Sequence, residues 1–264
     1  VKKHISITQL TMLWRCGEQY YRRYVKGERI PPGIALITGT ATHRGIELNL
    51  KHKIEKNELL PIDVVEDIAR EEVIKRWEQG VLLEPEEKSR GEKVVKGEVI
   101  DVSTKLAKVH RVNLAPKLNP KSIEKPFALD IKENNEYGVK GVIDIIETKG
   151  EKKEIIRDTK TAARVQKDAA EKSLQLTMYA LAEKVNGNKP SELYIDFLHK
   201  TKFEIITQKT KRTNADFEVL LNRIANGLKQ LQAGIFPPSN PDQWWCSKKF
   251  CGYYDSCPFV KRAK

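Results

Sequence analysis

Residues 139 to 160 read Val-Lys-Gly-Val-Ile-Asp-Ile-Ile-Glu, a short polar link, then Ile-Ile-Arg-Asp-Thr-Lys. The β-branched runs on either side of the Gly-containing link 149–153 predict a β-hairpin with a five-residue loop. A loop centred on Glu151 sets Asp144 directly opposite Asp158, with side chains about 5 Å apart on one face. Lys160, two residues on, points to that same face. Ile143, Ile145, Ile146, Ile155 and Ile156 make both faces apolar, which predicts a central strand pair and argues against an exposed edge-strand ion pair. Two carboxylates and an ammonium in such a setting repel or desolvate one another unless something joins them. Hard oxygen ligands at this spacing suit Mg²⁺ or Mn²⁺.

The 264 residues suffice for one large domain or a core with a helical insertion, and 39% hydrophobic with 32% charged residues is ordinary for a soluble globular chain. No apolar stretch approaches ~20 residues and the N-terminus shows no signal-peptide h-region, so the expectation is a cytoplasmic protein without a membrane partner. Lys and Arg exceed Asp and Glu by 12. That excess predicts a polyanionic partner, although charge alone does not separate DNA, RNA and acidic lipid. Cys16, Cys246, Cys251 and Cys257 are the only cysteines. Disulfides are not expected in an intracellular chain, and four cysteines with three crowded near one end suit one tetrahedral metal or one cluster.

A helix is predicted over Ser6–Val25, opened by a Ser6-x-x-Gln9 capping box and carrying Tyr20-Tyr21-Arg22-Arg23-Tyr24. A loop follows over 27–39, then a helix over 40–56 with His43 and Glu47 one turn apart on one face. Charged amphipathic helices over 61–80 and 91–110 have narrow apolar stripes and are expected to form a helical lobe, spanning 40–115, rather than core. Ser122–Ile131 is a strand candidate, followed by an Asn134-Asn135 turn and the hairpin. A helix over 168–185 has Leu174, Met178, Leu181 and Val185 as its apolar stripe, with Gln175 and Tyr179 on an adjoining face. Strands over 192–198 and 203–208, a helix over 214–232 and a cysteine-rich tail over 244–264 complete the chain. The order predicts an α/β fold in which a mixed central sheet is flanked by helices, the helix 168–185 crossing over between strands.

These motifs, in this order and over almost the whole chain, resemble the RecB-type branch of the PD-(D/E)XK nuclease superfamily, with a restriction-endonuclease-like core. The opening helix with its Cys and Tyr-Tyr-Arg-Arg-Tyr resembles that family's first helix. Gly39-Thr-Ala-Thr-His43 resembles its Gly-x-x-x-His motif, Gly141-Val-Ile-Asp144 its first acidic strand, and Asp158-Thr-Lys160 its Asp/Glu-x-Lys strand. Gln175-Leu-Thr-Met-Tyr179 resembles the Gln-x-x-x-Tyr helix that lies by the DNA backbone. The resemblance implies catalysis by Asp144, Asp158 and Lys160, with His43, Asp144, Asp158 and the Thr159 carbonyl holding the metal. It further implies a metal-dependent nuclease, expected to act as an exonuclease on single-stranded or open DNA ends, with a helicase or recombination partner. The alternative is a binding module of the same fold with little catalysis. Gln175, Tyr179, Tyr20, Arg22 and Arg23 would contact DNA, and Glu47 and Glu124 are weaker candidates for the site. Cys16, Cys246, Cys251 and Cys257 are similar to the ligands of a [4Fe-4S] cluster in the family's iron–sulfur subset. Four residues separate Cys246 from Cys251 where the subset usually has two, which leaves zinc open.

Overall fold

The computed structural model describes residues 3–131, 134, 136–149 and 153–260. In chain order the elements are β1 (Lys3–Ser6), α1 (Ile7–Arg15), α2 (Gly17–Tyr20), a π-helical turn (Tyr21–Val25), α3 (Ile34–Lys56), α4 (Ile62–Glu78), α5 (Pro85–Ser89), α6 (Glu92–Asn113) and a 3₁₀ turn (Ala115–Lys117). Then come β2 (Pro120–Asp130), β3 (Tyr137–Lys149), β4 (Lys153–Ala162), α7 (Ala169–Lys172), α8 (Leu174–Val185), β5 (Pro190–His199), β6 (Ile205–Thr210), α9 (Asn214–Gln232) and a 3₁₀ turn (Tyr254–Ser256). Among the described residues the strands form a six-stranded mixed sheet in the order β1-β3-β4-β5-β6, with β2 also paired to β3. The chain divides into two compact units, one of Pro31–Phe127 and Val142–Thr213, the other of Val1–Ile30, Ala128–Gly141 and Asn214–Lys264.

In the larger unit β3 and β4 pair antiparallel with Ile145 opposite Arg157 and Ile146 opposite Ile156. The paired register ends at Ile145 and Arg157, and Asp144 and Asp158 are the next residues along the two strands. The centre of the predicted loop, Glu151, lies outside the described residues. β4 also pairs in parallel with β5, and β5 antiparallel with β6. The hairpin is therefore central, as its isoleucines require, and Ile143 and Ile156 are fully buried.

Ile46 and Leu50 of α3 and Leu106 of α6 pack with Ile145 and Leu198 in one apolar cluster. Full burial of such a side chain contributes about 1.5–3 kcal/mol. This corrects the expectation of a helical lobe without core character. A second cluster joins Ile37 and Ala41 of α3 to Val73 and Trp77 of α4 and to Val95 and Val99 of α6. The stripes are narrow because each helix shares its burial among several neighbours. α3 also begins at Ile34, so the predicted loop 27–39 is shorter than expected. The helix predicted over 168–185 is broken at Ser173, whose Oγ caps α8 by accepting the Leu176 N–H at 3.2 Å. Val185 is exposed, and the buried side of α8 includes Leu176, Met178, Tyr179 and Ala180.

In the smaller unit the capping box forms as predicted, with Ser6 Oγ accepting the Gln9 N–H and Gln9 Oε1 accepting the Ser6 N–H. The single helix predicted over Ser6–Val25 does not form. Cys16 is extended (φ −161°, ψ 106°) and separates α1 from α2. The cause lies far along the chain: the Gly17 N–H donates to the Pro237 carbonyl at 2.7 Å. A Cβ on residue 17 would lie 2.4 Å from the carbonyl carbon of Phe236, so only glycine admits this approach. β1, which the sequence pattern did not reveal, pairs in parallel with β3 through Ile5 and Val139. Asn134 turns the chain by accepting the N–H groups of Glu136 and Tyr137; Asn135 of the predicted turn lies outside the described residues.

Candidate active site

Strand and helix together gather the predicted side chains of the larger unit. Lys160 Nζ donates to Asp158 Oδ1 at 3.0 Å and to Gln175 Oε1 at 2.8 Å. Gln175 Nε2 donates to the Tyr179 hydroxyl at 2.5 Å, and that hydroxyl donates to Asp144 Oδ1 at 3.4 Å. The Thr159 N–H donates to Asp144 Oδ2 at 3.1 Å. Gln175 and Tyr179 stand one turn apart on α8, the spacing that lets both reach the same patch of sheet. Asp158, Lys160, Gln175, Tyr179 and Asp144 thus form one hydrogen-bonded chain.

Asp158 has no exposed surface. Burial, and then the nearby Asp144 charge, push its carboxyl up to about 7 against the opposing pull of Lys160. Its Oδ2 lies 2.9 Å from Lys160 Nζ but in no hydrogen bond of acceptable geometry. His43 Nδ1 is 3.9 Å from Asp144 Oδ2. Burial lowers the His43 pKa although Asp144 opposes this, which favours the neutral imidazole that can ligate a cation. Burial first, then Asp144 and Asp158, raise the Tyr179 hydroxyl, which stays a neutral donor.

Glu124 belongs to this site more firmly than its unremarkable sequence context suggested. It sits within β2 at φ 53°, a left-handed conformation rare for a residue with a side chain. Burial, then Asp144 and Glu47, push its carboxyl up to about 7. Glu47 is bound to its own helix, accepting from Lys51 at 2.6 Å and Arg44 at 2.9 Å. Burial would raise its pKa, but those two hydrogen bonds outweigh it and the net shift is downward.

His43, Glu47, Glu124, Asp144 and Lys160 line a cleft of about 680 Å³, with Arg44, Lys75 and Arg76 among its other walls. Lys75 and Arg76 were not foreseen, since charges on an amphipathic helix carry no spacing signal that separates a cleft wall from a solvated face. Among the described residues no three His, Cys, Asp or Glu side chains are arranged to hold a metal ion. Two carboxylates and a backbone carbonyl nevertheless have the chemistry of a Mg²⁺ site, because that ion takes one or two carboxylates and keeps several waters. The buried Asp158 oxygen without a hydrogen bond fits the same donor set.

The aromatic–basic stretch of the smaller unit is largely committed to packing. Tyr20, expected to stack on DNA bases, is buried and stacked at 6.0 Å on Phe236, so its ring faces are already covered. Arg22 pairs with Glu28 at 2.7 Å and lies 5.0 Å from the Tyr253 ring centroid. Arg23 lies 5.7 Å from the Tyr24 ring.

All four cysteines are free thiols. Cys246, Cys251 and Cys257 each close a short turn through their own N–H, and Cys16 Sγ accepts the Ser239 N–H at 3.4 Å. Burial raises the Cys246 thiol, followed by the fields of Cys16 and Cys257. Burial also raises Cys251, against a hydrogen bond from the Tyr253 backbone and with the other three thiols adding to the rise. Residues from both ends of the sequence therefore feel one another's charge.

The mixed sheet thus carries Asp144 and Asp158 beside a cleft whose walls bear both acidic and basic side chains, Glu72 among the acidic ones. The fold is similar to the crystal structure of a candidate exonuclease from Eubacterium rectale, with a TM-score of 0.53 and 12% identity, covering 99% of this chain and 90% of that one. The structure of SSO0001 aligns with a TM-score of 0.39 and 12% identity over 96% of each chain. No curated protein matches the sequence. The model of the PD-(D/E)XK nuclease superfamily matches residues 4–258, and the chain belongs to that superfamily. Its members commonly use divalent metals such as Mg²⁺ or Mn²⁺. No helix among the described residues is long and apolar enough to cross a membrane.

Proposed function

We propose that this chain is a Mg²⁺- or Mn²⁺-dependent deoxyribonuclease of RecB type that hydrolyses phosphodiester bonds at single-stranded or open DNA ends, as an exonuclease. The observation that carries this reading is the buried Asp158 beside Asp144, tied through Lys160, Gln175 and Tyr179 into one network at the cleft. Asp144, Asp158, the Thr159 carbonyl and His43 would hold the cation. When bound, it would offset phosphate charge and make water a better nucleophile at neutral pH. Lys160, held between Asp158 and Gln175, keeps its ammonium at the cleft, where it orients the attacking water and steadies the charge of the pentavalent phosphorane. Tyr179 and Gln175 fix the angles of Asp144 and Lys160. Lys75 is placed to receive a neighbouring phosphate, in keeping with the net charge of +12, while Arg44 and Arg76 pair with Glu47 and Glu72 on their own helices. The similar fold of the candidate exonuclease supports end-directed cleavage.

End-labelled single- and double-stranded oligonucleotides test this directly. Mononucleotide release with Mn²⁺ or Mg²⁺, absent in EDTA and absent from a folded Asp158→Asn variant, is the expected result. Intact DNA after incubation of folded wild-type protein with either metal would overturn it.

We also propose that Cys16, Cys246, Cys251 and Cys257 hold a [4Fe-4S] cluster, with zinc as the alternative. The mutual fields of the thiols support a shared site. A tetrahedral zinc site, with Zn–S bonds of about 2.3 Å, needs its sulfurs nearly in contact, whereas a cubane spreads them further. Anaerobically purified protein should be brown with about four irons per chain, and Cys251→Ser should bleach it and lower the melting temperature. Colourless protein with one zinc would replace the cluster by zinc.

A further inference from the structure

The smaller unit carries a cleft of about 720 Å³ that the chemistry above does not use. Its floor is α9 at Gly227, where a Cβ would lie 2.8 Å from Trp14 Nε1 and 3.1 Å from Leu10 Cδ2. The missing side chain lets the Trp14 indole lie against the helix. Arg223, one turn earlier, sets its guanidinium carbon 4.8 Å from the Trp14 ring centroid. Trp245, on the same cleft, is anchored by donating its Nε1–H to Ser239 Oγ at 2.9 Å. Trp244, 66% exposed, meets Trp245 edge-on at 5.5 Å and extends the aromatic surface outward. The lining includes Arg15 and Arg223, several Asn and Gln side chains, and no acidic residue.

Indole faces with guanidiniums and amides beside them, and no carboxylate to repel a phosphate, match the chemistry of an unpaired nucleotide. Every base has a π-face to stack, each phosphate a charge to pair, and amides can reach base edges. A duplex hides those faces in its own stack. We infer that this cleft is a second nucleic-acid contact, binding single-stranded DNA with a base against Trp14 or Trp245 and its phosphates on Arg15 and Arg223. The inference rests on the nuclease reading and adds to it a strand-holding site within the smaller unit.

The test is anisotropy of a labelled oligothymidylate and of a labelled duplex against the full chain in EDTA, where no cleavage occurs, with metal-dependent cleavage measured in parallel. Arg223→Glu, on an exposed side chain, should melt like wild type, weaken single-strand binding roughly 10-fold and flatten the salt slope by about 1. Trp14→Ala should weaken it roughly 5- to 100-fold, and wild-type tryptophan emission should be quenched by the oligonucleotide. If wild type cleaves and binds while Arg223→Glu binds as tightly with an unchanged salt slope, the cleft is not a contact and the inference falls alone. If wild type neither binds nor cleaves, the nuclease reading falls and takes this one with it. Equal loss of duplex and single-strand affinity in Arg223→Glu would reduce the cleft to a general basic surface and overturn its assignment to unpaired strands.

Discussion

The backbone N–H of Thr159 donates to Asp144 Oδ2 at 3.1 Å, so the main chain of one acidic strand fixes the carboxylate of the other. Asp144→Asn can keep that hydrogen bond through its amide oxygen but loses the charge. Its cleavage rate should fall by roughly 100-fold or more, as removal of a charged group from a metal-assisted site does, while its melting temperature stays near wild type. Single-turnover kinetics beside a thermal melt would separate the two effects; near-wild-type rates would remove Asp144 from the reaction.

The buried Asp158 carboxyl should make the metal-free protein less stable as pH rises. Its folded pKa of about 7 lies above the roughly 3.9 of an unfolded Asp. The folded state therefore holds its proton longer, and this group's contribution to stability is full below about pH 4, declines between pH 4 and 7, and is lost above. Glu124, also near 7, adds a smaller part of the same slope because it is only half buried. Asp158→Asn should flatten much of that slope in EDTA, read by denaturant midpoints across pH.

Adding Mg²⁺ or Mn²⁺ at pH 7.5–8 should raise the wild-type melting temperature, since a ligand at 100 times its Kd contributes about 2.7 kcal/mol. The gain should shrink below about pH 7, where protons compete for Asp158 and Glu124. A metal shift that persists in Asp158→Ala would place the ion elsewhere.

Glu124 offers a paired test of backbone strain and chemistry. Glu124→Gln keeps the left-handed φ of 53° and removes only the titratable group, so the acidic limb of the pH–rate profile should change and the part of the stability–pH slope that Glu124 supplies should vanish. Glu124→Gly should instead gain up to about 1 kcal/mol by relieving the backbone, and lose activity. Unfolding curves and pH profiles of both variants distinguish the two contributions.

Gly17→Ala should destabilise the protein by roughly 2–4 kcal/mol, because the new methyl would meet the main chain of Phe236 and Pro237, which has no rotamer to yield. If the cysteines hold the proposed cluster, bound iron should drop in parallel, since Cys16 would be displaced. An unchanged melting temperature and metal content would show that residues 236–237 shift freely.

The hairpin was legible because paired isoleucine runs fix register locally, and one slip would turn every side chain to the wrong face; the five-residue loop expected over 149–153 is shorter, since Lys149 and Lys153 pair within the strands. Asp144, Asp158 and Lys160 could be placed from that register alone, and Gln175 with Tyr179 from helical spacing. Glu124 could not be weighed, since no residue pattern announces a left-handed Glu inside a strand. The break at Cys16 arises from Pro237, more than two hundred residues away, so the capping box predicted the start of α1 but not its end. β1 is four residues long and owes its form to a parallel partner far along the chain. Tyr20 read as a stacking surface because exposure depends on Phe236, again a distant neighbour.

The approach of Gly17 to Pro237 also sets an order of events during synthesis. At about 5–20 residues per second, the ribosome needs roughly 10–45 s to travel from the first of these residues to the second. Throughout that interval Leu10 and Leu13, fully or nearly fully buried in the finished fold, have no α9 to cover them. The side chains that α9 covers in the finished fold thus wait for their cover while the whole span between is made.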